Sequence, residues 1–307
     1  MRYIKQDKFL RAAELCSHLR QTLDKGFLSG RVLSVFDHAV NLQTPAGLVS
    51  LLTADRALYP DSIRLLEHGP FSACGLWPGI RVELDAKCCF FPEIDLTIDL
   101  QDALVKDLSI FHVPGLIVPD GLYKRLSHIV EAVARRGMAE GLAPLLFSVG
   151  RRPDRDRFPP NCYTSFLWPR FETLFTAVRS GDLEAAAAAA AQMAGCGPGL
   201  TPSSDDFLTG FMAALLTRAA ADNRIQPVLA LTKRMADSAC PKTNAISGGF
   251  LAQSAQGLFS EDVISTMTAL FSGGDPQALS DAAYKVACFG ETSGTDILTG
   301  IYFGAKI

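Results

Sequence analysis

The sequence predicts an α+β protein: an N-terminal small antiparallel β sheet or barrel-like domain, then a C-terminal mostly α-helical domain. Three observations carry this. Short apolar and β-branched runs recur between residues 30 and 98, separated by turn residues such as Pro45-Ala46-Gly47 and Pro78-Gly79. Beyond about residue 118 the apolar spacing becomes helical. The strand-like runs all precede the helical ones, which favours segregated layers over alternating βαβ units. The division expected is 1–117, a β-rich domain with a leading helix, and 118–307, a helical domain carrying paired Ser/Asp motifs.

Taken in order, Lys5 to Lys25 places Phe9, Leu10, Ala13, Leu15, Leu19 and Leu23 at roughly helical spacing and reads as one amphipathic helix. Strands are expected at Gly30–Phe36, Ala39–Gln43, Leu48–Leu52, Ser62–Leu66, Ile80–Leu84, Cys88–Phe91 and Leu96–Ile98. Helices are expected at Leu122–Gly137, Pro169–Ser180, Asp182–Gly195, Ser204–Ala221, Ile225–Ala239, Asn244–Phe259, Glu261–Phe271, Asp275–Cys288 and Thr295–Ala305. The third of these contains seven consecutive alanines, the best helix former.

Composition narrows the function classes. Of 307 residues, 48% are hydrophobic and 20% charged, so a real core is available. A net charge of −3 and a pI near 6.0 argue against nucleic acid. The one basic run, Arg151-Arg152-Pro153-Asp154-Arg155-Asp156-Arg157, carries interleaved aspartates and reads as a solvated linker. Charges in Met1–Lys8 stand where a signal peptide needs its apolar stretch, and no apolar run approaches a membrane span, so a cytoplasmic protein away from membranes is expected. A mean hydropathy of +0.18 suggests covered surface in an oligomer. Eight scattered cysteines without a C-x-x-C pair read as reduced thiols. All five histidines fall in the first 128 residues, which leaves the later motifs without a histidine base or metal ligand of their own. No cofactor and no metal centre is expected: the P-loop and dinucleotide fingerprints are absent.

The informative feature is an internal echo. Ser203-Ser204-Asp205-Asp206-Phe207-Leu208-Thr209-Gly210-Phe211 aligns without gaps to Ser293-Gly294-Thr295-Asp296-Ile297-Leu298-Thr299-Gly300-Ile301, and each copy follows Gly-x-Thr (Gly199–Thr201, Gly290–Thr292). Two equivalent helix starts, facing each other across a pseudo-twofold bundle, would explain it. The glycines and prolines of Gly195–Pro202 end the alanine helix, and Ser203 or Ser204 is a natural N-cap, with the aspartates in the first turn. Unpaired N–H groups at such a start attract phosphate or carboxylate. Plain capping would give much of the same pattern, but it requires neither the threonines nor a glycine in the early helical turns, where glycine costs about 1 kcal/mol. Asp205 and Asp206 would repel a phosphate unless they point elsewhere, bind a metal or accept hydrogen bonds from an amide. A third start, Lys242-Thr243-Asn244-Ala245-Ile246-Ser247, puts Thr243 and Ser247 on one face.

These motifs resemble a bacterial domain-of-unknown-function family that includes the AllH-type subunit of oxamate carbamoyltransferase. The resemblance lies in Gly197-Pro198-Gly199-Leu200-Thr201-Pro202-Ser203-Ser204-Asp205-Asp206 with Gly210, in Lys242–Ser247, and in Gly290–Asp296. This chain has Ser204 where the family usually has glycine, and Asn244 where a second threonine is expected. The N-terminal strands, including His38–Leu42, resemble the family in outline.

The resemblance implies a carbamoyltransferase subunit in purine and allantoin nitrogen catabolism. Carbamoyl phosphate and oxamate would be exchanged for phosphate and oxalurate, with partner subunits of the FdrA and AllG types. Asp205, Asp206 and Asp296 are then the catalytic candidates, orienting an amide. The candidates for binding the small anionic substrate are Gly199, Thr201, Ser203, Ser204, Thr243, Asn244, Ser247, Thr292, Ser293 and Gly294. The alternatives are a non-catalytic assembly or regulatory subunit, or an uncharacterised small-anion-binding protein. A third reading is a hydrolase or lyase with a metal at the aspartates. Whether His38 or Asn41 takes part is open.

Overall fold

A computed structural model describes residues 8–148 and 154–307. Residues 1–7, with the start of the expected leading helix, and Arg151-Arg152-Pro153 of the basic run lie outside them. The chain divides into two compact units, Met1–Leu108 and Ser109–Ile307. From Ser109 the backbone is committed to the second: Ser109 bridges Leu258, and Ile110 N–H donates to the Gly257 carbonyl.

The first unit is a mixed β-barrel closed by eight strands. In chain order they are β1 (Phe9–Cys16), β2 (Leu28–Val35), β3 (Ala39–Thr44), β4 (Gly47–Leu52), β5 (Ser62–Leu65), β6 (Arg81–Leu84), β7 (Cys88–Phe91) and β8 (Leu96–Asp99). The order round the barrel is β5-β4-β3-β2-β6-β7-β8-β1, and β1 returns to β5. A ninth strand, β9 (Leu104–Lys106), runs parallel to Glu14–Cys16 of β1. Alternation builds the core: Val82 and Leu84, Leu96 and Ile98 point inward while their neighbours do not.

The expected leading helix is corrected. Only Ser17–Asp24 is helical (α1), and Phe9–Cys16 is the strand that closes the barrel. Leu10 and Ala12 are buried between exposed Phe9 and Arg11, a period of two that the helical reading had merged with the Leu19–Leu23 pair. Closure lets β1 pair with β5 on one side and with β8 and β9 on the other. Glu14 spans both seams, ion-paired to Arg64 of β5 and, at 2.9 Å, to Lys106 of β9. Asn41 is spent within the barrel, accepting from Ser50 and donating to Ser34, while His38 stands 3.3 Å from Asp55.

The second unit is helical: α2 (Leu122–Arg136), α3 (Pro144–Ser148), α4 (Cys162–Ser180), α5 (Leu183–Met193), α6 (Ser203–Ala221), α7 (Ile225–Ala239), α8 (Ala245–Ser254), α9 (Glu261–Leu270), α10 (Pro276–Ala287) and α11 (Ser293–Gly304). α4 starts well before Pro169, because Asn161 and Thr164 form a reciprocal capping box and Pro169 is carried inside the helix. α6 has no polar face. Ala213, Ala214 and Leu216 belong to one core, and Phe207, Leu208, Phe211, Met212 and Leu215 to another, so α6 is the wall between them. His112 and His128 fall within this unit, and His128 is engaged by Ser280 of α10 at 2.9 Å. All eight cysteines are free thiols. No helix among the described residues is long and apolar enough to cross a membrane.

Candidate functional site

The two echoing segments become α6 and α11, and they cross at their glycines. A Cβ on Gly210 would collide with the Ile297 carbonyl, and one on Gly300 with the Phe207 carbonyl. Ile297 and Phe207 occupy equivalent positions in the echo, so the contact is reciprocal and the helices are related by a local pseudo-twofold. These glycines therefore serve close backbone approach, not ligand access. Gly294 is similar: a Cβ there would strike the Val286 carbonyl at the end of α10.

Neither start is capped as the sequence suggests. Pro202 and Thr292 occupy the N-cap positions, and neither provides a side-chain cap. Ser203 and Ser293 are the first residues inside their helices. The expectation of a Ser203 or Ser204 cap fails because the Gly195–Pro202 loop folds back on α6: Ser204 N–H donates to the Cys196 carbonyl at 2.9 Å, and Cys196 N–H donates to Ser204 Oγ at 3.0 Å. The serine found here in place of glycine is thus a brace for the loop.

The crossing brings Asp206 and Asp296 together. Both are buried, at 4% and 0% exposure. Each is served by the threonine before its own helix and by the first serine of the other helix: Thr201 and Ser293 act on Asp206, Thr292 and Ser203 on Asp296. Thr201 Oγ1 and Ser293 Oγ lie 2.8 Å apart and tie the two starts directly. Burial pushes Asp296 up to about 7, against the pull of Ser203, the Leu142 amide and Thr292. Burial, and after it the charge of Asp296, pushes Asp206 well above the ordinary carboxylate range. Ser203 Oγ approaches Asp296 but falls outside hydrogen-bond geometry, so it, Asp206 Oδ2 and Asp296 Oδ2 are buried without a hydrogen-bond partner among the described residues.

Asp205 faces the other way. It accepts from Gly195 N–H at 2.8 Å and from the Thr243 hydroxyl, so it binds the loop before α6 to the turn before α8. Burial raises its pKa, offset by those two donors and by Ser247 and Ser204. Asn244 is also occupied: it caps α8 by accepting from Ile246 and Ser247 N–H, and donates to the Leu200 carbonyl at 2.8 Å. Ser247 is buried near Asp205, its hydroxyl outside hydrogen-bond geometry. Gly199 is exposed at a φ of +88°, where a side chain would be strained. The structure thus joins Thr201, Ser203, Asp206, Thr292, Ser293 and Asp296 in one constellation. Asp205, Ser204 and Asn244 hydrogen-bond to the loops beside them.

Two contributors had no signal in the sequence. Leu142 N–H donates to Asp296 Oδ1 at 2.6 Å, and a Cβ on Gly141 would lie 2.6 Å from both Asp296 oxygens, so the loop before α3 covers that carboxyl. Asn161, at the start of α4, holds the Gly141 carbonyl at 2.8 Å. The segment Leu142–Phe147 reads as core, and only the positive φ of Gly141 marks the turn.

A closed β-barrel and a helical domain built on two crossed Ser/Asp helix starts define the class. Residues 193–305, which contain every motif of the site, match the family model for oxamate carbamoyltransferase subunit AllH, and residues 11–106 match that for the AllH family N-terminal domain. The chain belongs to the AllH family, a family of oxamate carbamoyltransferase subunits that work in complexes with other subunits. No solved structure matches it.

Proposed function

We propose that this chain is a catalytic, substrate-binding subunit of an oxamate carbamoyltransferase, acting with FdrA-type and AllG-type partner subunits on carbamoyl phosphate and oxamate. In that reaction the oxamate amide nitrogen attacks the carbamoyl carbon, the bond to the phosphate oxygen breaks, phosphate leaves with the electron pair, and one proton is lost from nitrogen. No covalent enzyme intermediate is needed. The subunit has to bind an anionic phosphate, hold the two reactants in line and stabilise the leaving group.

The observation that carries this reading is the Asp206/Asp296 pair. Buried carboxyls with raised pKa values and unpartnered oxygens are costly to a fold and cluster at functional sites. The part-exposed hydroxyls of Thr201 and Ser293, together with the uncapped starts of α6 and α11, form the place for the phosphate. Asp206 and Asp296 serve its reacting end from beneath.

The test is oxalurate formation by the reconstituted complex. Asp206→Asn is expected to abolish turnover while the variant still folds and assembles. The rival reading, a non-catalytic assembly subunit, is favoured by the structural use of Ser204, Asp205 and Asn244. Under it the same variant keeps activity in proportion to folded protein.

A further inference from the structure

The sequence left three ways for aspartates to coexist with a bound phosphate, and burial separates them. Asp205 takes the first, pointing elsewhere. Asp206 and Asp296 do not. Their free oxygens, with Ser203 Oγ, are fully buried, on residues no more than 4% exposed. Oxygens at this depth suit a small enclosed ion. Burying such a pair ionised and unmatched is costly.

We propose that Asp206, Asp296 and Ser203 hold a hard divalent cation of the Mg²⁺ class, which presents its remaining coordination positions to the substrate phosphate beside Thr201 and Ser293. The donors are all oxygens, a set that suits Mg²⁺ and disfavours the metals selected by imidazole or thiolate. His128 is engaged by Ser280. Among the described residues no third His, Cys, Asp or Glu joins the pair, so two carboxylates and a hydroxyl would leave coordination positions of the ion unfilled by protein. That is how Mg²⁺ is commonly held, through one or two carboxylates and a substrate's phosphate oxygens.

The crossing of α6 and α11 supplies one carboxylate from each helix at equivalent positions, as in metal sites built between facing helices. Leu142 N–H fixes Asp296 Oδ1 and leaves Oδ2 for the ion. The cation removes the electrostatic conflict: two carboxylates that would repel a phosphate become its anchor. The phosphate half of this inference rests on the transferase reading, whereas the cation half does not.

The test uses the full chain, freed of metal by a chelator. Calorimetric titration with Mg²⁺, thermal denaturation, and Mn²⁺ binding followed by electron paramagnetic resonance should all show one saturable site. Asp206→Asn and Asp296→Asn should abolish it. Ser203→Ala, which keeps both carboxylates and serves if those variants fold poorly, should weaken it at least about tenfold.

Failure of the wild-type chain to bind either ion overturns the proposal. Titration with carbamoyl phosphate separates the two readings. Binding that is equal with and without Mg²⁺ sinks the cation and leaves the transferase reading standing. Mg²⁺ bound with no effect of carbamoyl phosphate keeps the cation and removes its phosphate partner.

Discussion

Gly210 and Gly300 occupy one helix crossing, each placed where a Cβ would enter the backbone of the other's helix. Everything else in the site depends on this approach, because it sets Asp206 and Asp296 at matching depths. Gly210→Ala or Gly300→Ala should therefore destabilise the helical unit by about 3 kcal/mol or more, despite the gain in helix propensity, since buried overpacking typically costs about 1–3 kcal/mol and here the obstacle is backbone. Equilibrium denaturation in urea measures this, and an unchanged midpoint would refute the reciprocal contact.

Gly249, within α8, supplies the contrast. A Cβ there meets nothing within 4 Å, and the residue lies inside a helix. Gly249→Ala is expected to stabilise the protein by about 0.5–1 kcal/mol, the ordinary propensity gain, read as a raised urea midpoint in the same assay.

Neighbouring aspartates should behave oppositely. Asp205→Asn loses part of the grip on Gly195 and Thr243. It should cost about 1–3 kcal/mol of stability, with activity following folded protein. Asp206→Asn removes a buried carboxyl whose charged form burial disfavours, and should leave Tm unchanged or raised in metal-free buffer while ending turnover. Paired melting and rate measurements distinguish them, and equal loss of Tm in both would contradict the division of roles.

The barrel should show its own pH dependence. Nδ1 of His18 on α1 lies 2.7 Å from Asp61, and that hydrogen bond, partly opposed by burial, raises the histidine pKa. A raised folded-state pKa means the contribution is complete below the unfolded value, about 6.5, and is lost as pH rises through the folded one. Asp61→Asn should flatten stability against pH in the region just above 6.5, followed by thermal melts across that range.

The sequence was most legible where order is local. Val82-Glu83-Leu84 announces a strand by alternation, and Ala185–Ala191 a helix by propensity. The pairing of Ser203–Phe211 with Ser293–Ile301 was visible as an echo, and the structure makes those segments cross. Less legible was Phe9–Cys16, whose strand exists because β5 closes on it from the far side of the barrel. The cover over Asp296 by Gly141 and Leu142 was not legible at all, since the contact spans 154 positions.

By itself, then, the sequence determined that a β-rich unit precedes a helical one and that two like helix starts carry serine and aspartate. It could not separate Asp205 from Asp206, which are adjacent and chemically identical. Tertiary structure decided that the first braces a loop and the second meets Asp296. Successive helical residues point about 100° apart, so the role of each depends on what packs against its side of α6.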